Sequence, residues 1–127
     1  MGRQINLKSS GEVQKMLEAN QIVAATLAML TEKIRPGLTT LQLDKWAEGF
    51  ARQQGAVPAF KGYRGFPGSL CVSINEEVVH GIPSERVILQ DGDIIFLFMS
   101  SDLANDFHAF GYCLQYFIIQ IVDLCFQ

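Results

Sequence analysis

The order of patterns along the chain constrains its fold more than any single motif. Two helix-type stretches come first, and every alternating stretch follows them. Ser9 and Glu12 have S-x-x-E spacing, which satisfies two otherwise orphan backbone donors at a helix start. Val13, Met16, Leu17, Val23, Leu27, Leu30 and Ile34 then recur every three to four residues, with a break near Asn20. That spacing predicts one long amphipathic helix, ended by Pro36-Gly37. Thr39 and Gln42 repeat the capping pattern, and Leu43, Trp46, Ala47 and Phe50 supply a second apolar stripe. Gly55 suits the turn that closes this helix. Two helices joined by a Pro-Gly turn are expected to pack antiparallel.

Beyond Gly55 the period changes. Leu70, Val72 and Ile74 alternate with Cys71 and Ser73, which predicts a strand with one buried face. Asn75-Glu76 predicts a turn into a second strand over residues 77–80, broken by Gly81 and Pro83. Residues 87–89 are a short apolar stretch before the strong turn signal Asp91-Gly92. Residues 93–99, rich in isoleucine and phenylalanine, predict a buried strand. Residues 101–106 read as polar and turn-like. Residues 107–127 are aromatic and apolar. They read as a buried strand, a short hydrophobic helix or a segment never selected to fold, and exposed they would aggregate. Helices followed by antiparallel strands make the fold class α+β.

Composition narrows the classes of function. The 127 residues suit one domain. With 49% hydrophobic and 18% charged residues, the chain is not a disordered one. A net charge of −3 without a basic patch excludes nucleic-acid readout. No run reaches the roughly 18–20 apolar residues that cross a bilayer, and the first ten residues lack an apolar signal core. No membrane partner is therefore expected. Three cysteines without metal-type spacing argue against a disulfide scaffold, so a reducing, cytoplasmic setting is expected.

The chemistry concentrates in the middle of the chain. In residues 56–68, Pro58, Gly62, Gly65, Pro67 and Gly68 interleave with Phe60, Tyr63 and Phe66. Such a loop suits a pocket wall, or is pinned to the core by its aromatics. His80 follows two valines and precedes Gly-Ile-Pro, where it can hydrogen-bond a substrate or be satisfied by local backbone. Cys71 reads as a small core or pocket-wall residue rather than a nucleophile. Glu76, Glu77, Asp91, Asp93, Asp102 and Asp106 read as solvated turn carboxylates. His108 has no distinguishing context. No phosphate loop, zinc-type cluster or dinucleotide fingerprint appears.

Pro58-Ala59-Phe60-Lys61-Gly62-Tyr63-Arg64-Gly65-Phe66-Pro67 leads into Ser69-Leu70-Cys71-Val72-Ser73-Ile74-Asn75-Glu76. Val79-His80-Gly81-Ile82-Pro83 and Asp91-Gly92-Asp93-Ile94-Ile95 follow. This series closely resembles type I methionine aminopeptidase. The upstream segment, with Lys15-Met16, Arg35-Pro36-Gly37-Leu38-Thr39-Thr40 and Leu43-Asp44, is similar too. The likeness runs from about Ile5 to Ile95. It implies the pita-bread fold, two pseudo-symmetric halves around a central antiparallel sheet, of which this chain holds the N-terminal half. It implies removal of the initiator methionine from nascent polypeptides by a bridging water on two divalent metal ions, cobalt, manganese, iron or zinc. On the same grounds, His80 contacts the scissile peptide, and Phe60, Tyr63, Phe66 and Cys71 wall the methionine side-chain pocket.

The resemblance also locates a departure. The family's metal ligands are two aspartates, a histidine and two glutamates. The first aspartate position, six residues after Gly92, holds Phe98. The second, allowing one inserted residue, holds Phe110. The other three ligands belong to the second half of the fold. Phenylalanine offers a cation no lone pair, so the metals are expected not to bind. The expected division is a family-like region over residues 1–95 and a divergent apolar tail over residues 96–127, arising from a disrupted reading frame or true divergence. An inactive aminopeptidase is the first expectation. The alternatives are a non-catalytic module that binds protein N-termini or the ribosome, or another pita-bread peptidase of the aminopeptidase P or prolidase type. Half a pseudo-symmetric sheet leaves an edge or face open, so self-association is expected.

Overall fold

A computed structural model describes residues 5, 7–103 and 115–120. Helix α1 spans Ser10–Lys33 and opens with the anticipated box: Glu12 Oε2 accepts from Ser9 N–H at 2.7 Å, and Ser9 Oγ accepts from Glu12 N–H at 3.2 Å. Ala19, Val23, Thr26, Leu27 and Leu30 face the core. Val13 and Leu17, expected in the buried stripe, remain exposed. The strands meet the helix at Ala19, whose carbonyl accepts from Ser101 Oγ at 3.2 Å, so burial starts there and leaves the first turns in solvent.

Helix α2 spans Thr40–Gln53, with Thr39 and Gln42 closing the second box. It buries Leu43, Asp44, Ala47 and Ala51, and packs on α1. Gly55, at φ 84°, takes the left-handed turn that releases the chain. Three short segments follow: β1 (Ala56–Pro58), a 3-10 turn over Tyr63–Gly65, and β2 (Leu70–Ile74). Strands β3 (Ile94–Met99), β4 (Ser101–Leu103) and β5 (Gln115–Gln120) complete the described elements.

All described strand pairings are antiparallel, in the orders β2-β3-β5 and β1-β4. The run from Ile94 to Leu103 thus serves both ladders, switching partners at Ser100, whose carbonyl accepts from Ala59 N–H. Strand alternation sorts the side chains. Leu70, Val72 and Ile74 join Ile95, Leu97 and Met99 in the core with the helices. Cys71 pairs with Phe98 and Ser73 with Phe96 at the alternate positions.

Two expected elements differ. Residues 77–80 form no strand. Asn75 adopts φ 53°, and its side chain bridges to β3, accepting from Ile94 N–H and donating to Asp93. The chain then loops outward and returns to β2 at Gly81. Residues 101–103 of the expected polar turn are strand β4. The Ser101 hydroxyl is buried on the Ala19 carbonyl, and Asp102 is half-buried in the ladder rather than solvated in a turn. Asp106, His108 and Phe110 lie outside the described residues.

Candidate functional site

The loop joining β1 to β2 owes its shape to three left-handed residues, Gly62, Arg64 and Gly65. Their turn brings Gly62 N–H to the Phe66 carbonyl at 2.8 Å. Phe60 and Phe66 therefore meet edge to face, with ring centroids 6.4 Å apart and planes at 77°. Arg64 covers the Tyr63 ring at 5.4 Å.

Helix α2 anchors both ends of this loop. At the far end, Asp44 Oδ1 accepts from Ser69 N–H at 2.7 Å and from Leu70 N–H at 2.8 Å. One turn on, Glu48 accepts from Lys61 at 2.6 Å and from Ser69 Oγ at 3.3 Å, and pairs with Arg52. Burial raises the Asp44 carboxyl above its usual range, although both backbone donors oppose the shift. The Lys61 hydrogen bond lowers Glu48, helped by Arg52 and opposed by partial burial.

His80 is held by its neighbour. Gly81 N–H donates to Ser73 Oγ at 3.1 Å, and the Gly81 carbonyl accepts from Val72 N–H at 3.0 Å. The approach is so close that a Cβ on Gly81 would lie 1.9 Å from the Val72 carbonyl oxygen. His80 itself takes φ 61°, a conformation that costs a residue with a side chain about 1–2 kcal/mol.

These segments enclose a cavity of about 560 Å3. Phe60, Tyr63, Phe66, Cys71 and His80 all border it. The structure thus brings together the five residues singled out in the sequence: the phenylalanines half-buried, Cys71 buried, Tyr63 and His80 at the exposed mouth. Phe98 borders the same cavity and stacks on Phe60, with centroids 5.2 Å apart and planes at 22°. Sequence reading had marked Phe98 only as a lost ligand position, not as a wall. It placed Asp44 in the segment that resembles the family but did not find the anchoring role of Asp44 or Glu48. Their four-residue spacing puts both carboxylates on one helix face, the one signal that could have found them.

Among the described residues, the donors at this cavity do not suit a pair of divalent ions. Among the described residues, no three His, Cys, Asp or Glu side chains lie close enough to share a metal. Burial, with the nearby Asp44 charge, pushes the Cys71 thiol up to about 11, so at neutral pH it carries the proton a ligand must lose. What the cavity offers is aromatic surface, one protonated thiol, and an imidazole and the Arg64 guanidinium at the rim.

Known proteins resemble this chain in sequence and fold. A methionine aminopeptidase of Clostridium acetobutylicum is 52% identical over 91 residues, 72% of this chain and 36% of that relative. Methionine aminopeptidase 1 of Bacillus subtilis is 52% identical over 102 residues, covering 80% and 40% of the two chains. The crystal structure of methionine aminopeptidase from Rickettsia prowazekii superposes with a TM-score of 0.82 at 30% identity, over 94% of this chain and 46% of that one. The helices and antiparallel strands are thus those of the pita-bread fold, and this chain spans about two fifths of the length of these curated relatives. The profile of metallopeptidase family M24 matches residues 14–110, reaching past Phe98. With the family profile matched over residues 14–110 and its two helices set on antiparallel strands as in these relatives, the chain belongs to metallopeptidase family M24.

Proposed function

We propose that this chain keeps the side-chain pocket of a methionine aminopeptidase and holds peptides there without hydrolysing them. In this reading Phe60, Tyr63, Phe66 and Cys71 hold an unbranched thioether side chain, which aromatic faces and a polarisable sulfur suit. His80, at the mouth, hydrogen-bonds the peptide backbone. The boundary of functional likeness falls after Ile95. The ladder runs on across it, but the ligand position beyond it is altered.

The observation that carries the reading is Phe98. It is packed into the cavity wall against Phe60, so the place where the resemblance puts a carboxylate is filled by a ring. Among the described residues, Asp102 does not take its place, because it lies on β4 and does not border the cavity. Calorimetry with manganese or cobalt, paired with a methionine-release assay on Met-Ala-Ser, tests this. No tight two-ion binding and no released methionine are expected, while peptide binding survives a chelator. Tight metal binding accompanied by hydrolysis would overturn the proposal.

A further inference from the structure

Helix α2 reaches the pocket segments through Thr40, Asp44 and Glu48, whose spacing sets them along one helix face. Thr40 Oγ1 accepts from Ser84 N–H at 2.9 Å and donates to the Ser84 carbonyl at 3.2 Å. Asp44 Oδ1 accepts from the Ser69 and Leu70 N–H groups. These two therefore fix backbone: the segment after His80, and the start of β2 just before Cys71. Glu48 differs. Its Oε2 accepts from two side chains, Lys61 Nζ at 2.6 Å and Ser69 Oγ at 3.3 Å. One oxygen thus clasps the aromatic loop at both ends.

The hydrogen bonds inside the clasp are local. Gly62 N–H donates to the Phe66 carbonyl, Tyr63 N–H to the Phe60 carbonyl and Phe66 N–H to the Tyr63 carbonyl. They shape the loop but do not set where it stands against the sheet. Ala59 N–H on the Ser100 carbonyl and the stacking of Phe60 on Phe98 tie one end. Lys61 follows Phe60 directly, and Ser69 lies just before Leu70 and Cys71. Holding Lys61 and Ser69 on one atom therefore fixes the separation of the Phe60 and Cys71 walls. Neither Glu48 nor Lys61 borders the cavity itself. The pair is 20% and 46% exposed, and ion pairs of that kind add little stability. Its effect is on the shape of the cavity.

We propose that Glu48 is a positioning residue that sets the width of this cavity, and with it the preference for an unbranched methionine-type side chain over a branched one. The inference rests on the pocket reading above and names the residue that tunes its specificity.

Titrating Met-Ala-Ser and Leu-Ala-Ser into the full chain with chelator present gives that preference as a ratio of affinities. In the parent chain the methionine peptide is expected to bind tighter. Glu48→Gln and Lys61→Met should each narrow the ratio about threefold, the scale of a partly exposed ion pair. The methionine peptide should weaken while the leucine peptide holds or gains. The double variant should narrow it no further than either single one, since both remove the same contact. Lys61→Arg keeps the cation and should keep the parent ratio. Arg52 pairs with the other oxygen, Oε1, at 3.0 Å, so Arg52→Met should also leave the ratio at the parent value. Lys61 lies outside the buried core, so Lys61→Met carries the test alone should Glu48→Gln unfold. An unchanged ratio in Lys61→Met, or affinities that fall in parallel, overturns the proposal and leaves the pocket reading standing. Equal narrowing by Arg52→Met, or equal affinities in the parent chain, overturns it too. If the parent chain binds neither peptide, the pocket reading falls and the positioning role falls with it.

Discussion

Gly81 carries more of the site than the residues that touch the cavity. Its N–H and carbonyl both bond to the edge of β2, at a separation that no side chain could share. That contact determines where His80 stands, and it explains why His80 tolerates a left-handed backbone: the bonds at Gly81 hold the conformation against its cost. Gly81→Ala should therefore cost about 1–3 kcal/mol, the usual penalty for overpacking. It should also weaken peptide binding by displacing the imidazole. Urea melts and peptide titrations of the variant check both effects. An unchanged melt would show that the loop shifts freely and that β2 does not fix it. The histidine and the glycine were both legible in the sequence, but the reason for the glycine was not. It lies in a contact with Val72 and Ser73, nearly ten residues earlier in the chain.

At the scale of elements, legibility followed the range of the interactions. Both helices were readable to their first residues, because a capping box closes within four positions and needs nothing from elsewhere. Strands β2 and β3 were readable because one face of each is core. Strand β4 was not, since Ser101 and Asp102 are polar letters whose place in a ladder depends on pairing with Ala56–Pro58, more than forty residues away. The α2 anchor was hidden for the same reason, and it offers a pH test. Asp44 holds its proton more tightly folded than unfolded, because burial raises its value. Between the ordinary 3.8 and the raised folded value, the native state binds more protons, so this group's contribution to stability falls as pH rises through that window. Asp44→Asn keeps an Oδ1 acceptor for Ser69 and Leu70 but has no proton to lose. The stability of the variant relative to the parent chain should therefore improve from acid to neutral pH. The opposite slope from Glu48, set chiefly by its Lys61 hydrogen bond, is present in both proteins. Parallel stability profiles across that range would show that the Asp44 carboxyl titrates normally.

For the molecule as a whole, the mouth of the cavity carries apolar side chains exposed to water. Tyr63 and Ile82 border the cavity and are 55% and 57% exposed, while Val78 and Val79, on the segment leading to His80, are 81% and 52% exposed. Exposed apolar side chains scattered singly need no explanation, but Tyr63 and Ile82 at one opening, with two exposed valines on the segment leading to it, offer a surface that association can cover. Fully burying a valine or isoleucine is worth about 1.5–3 kcal/mol, so even partial cover of this rim by a second copy offsets part of the entropy lost on pairing. Sedimentation of the chain at tens of micromolar should show reversible self-association. Val78→Ser together with Val79→Ser should weaken it, since neither valine belongs to the buried core. Met-Ala-Ser should weaken it as well, because the peptide and the second copy would compete for one opening. A monodisperse monomer at that concentration would show that the exposed rim does not drive association. Association that the peptide leaves unchanged would place the contact elsewhere on the surface, and the cavity mouth would then stay open to ligand in every assembly state.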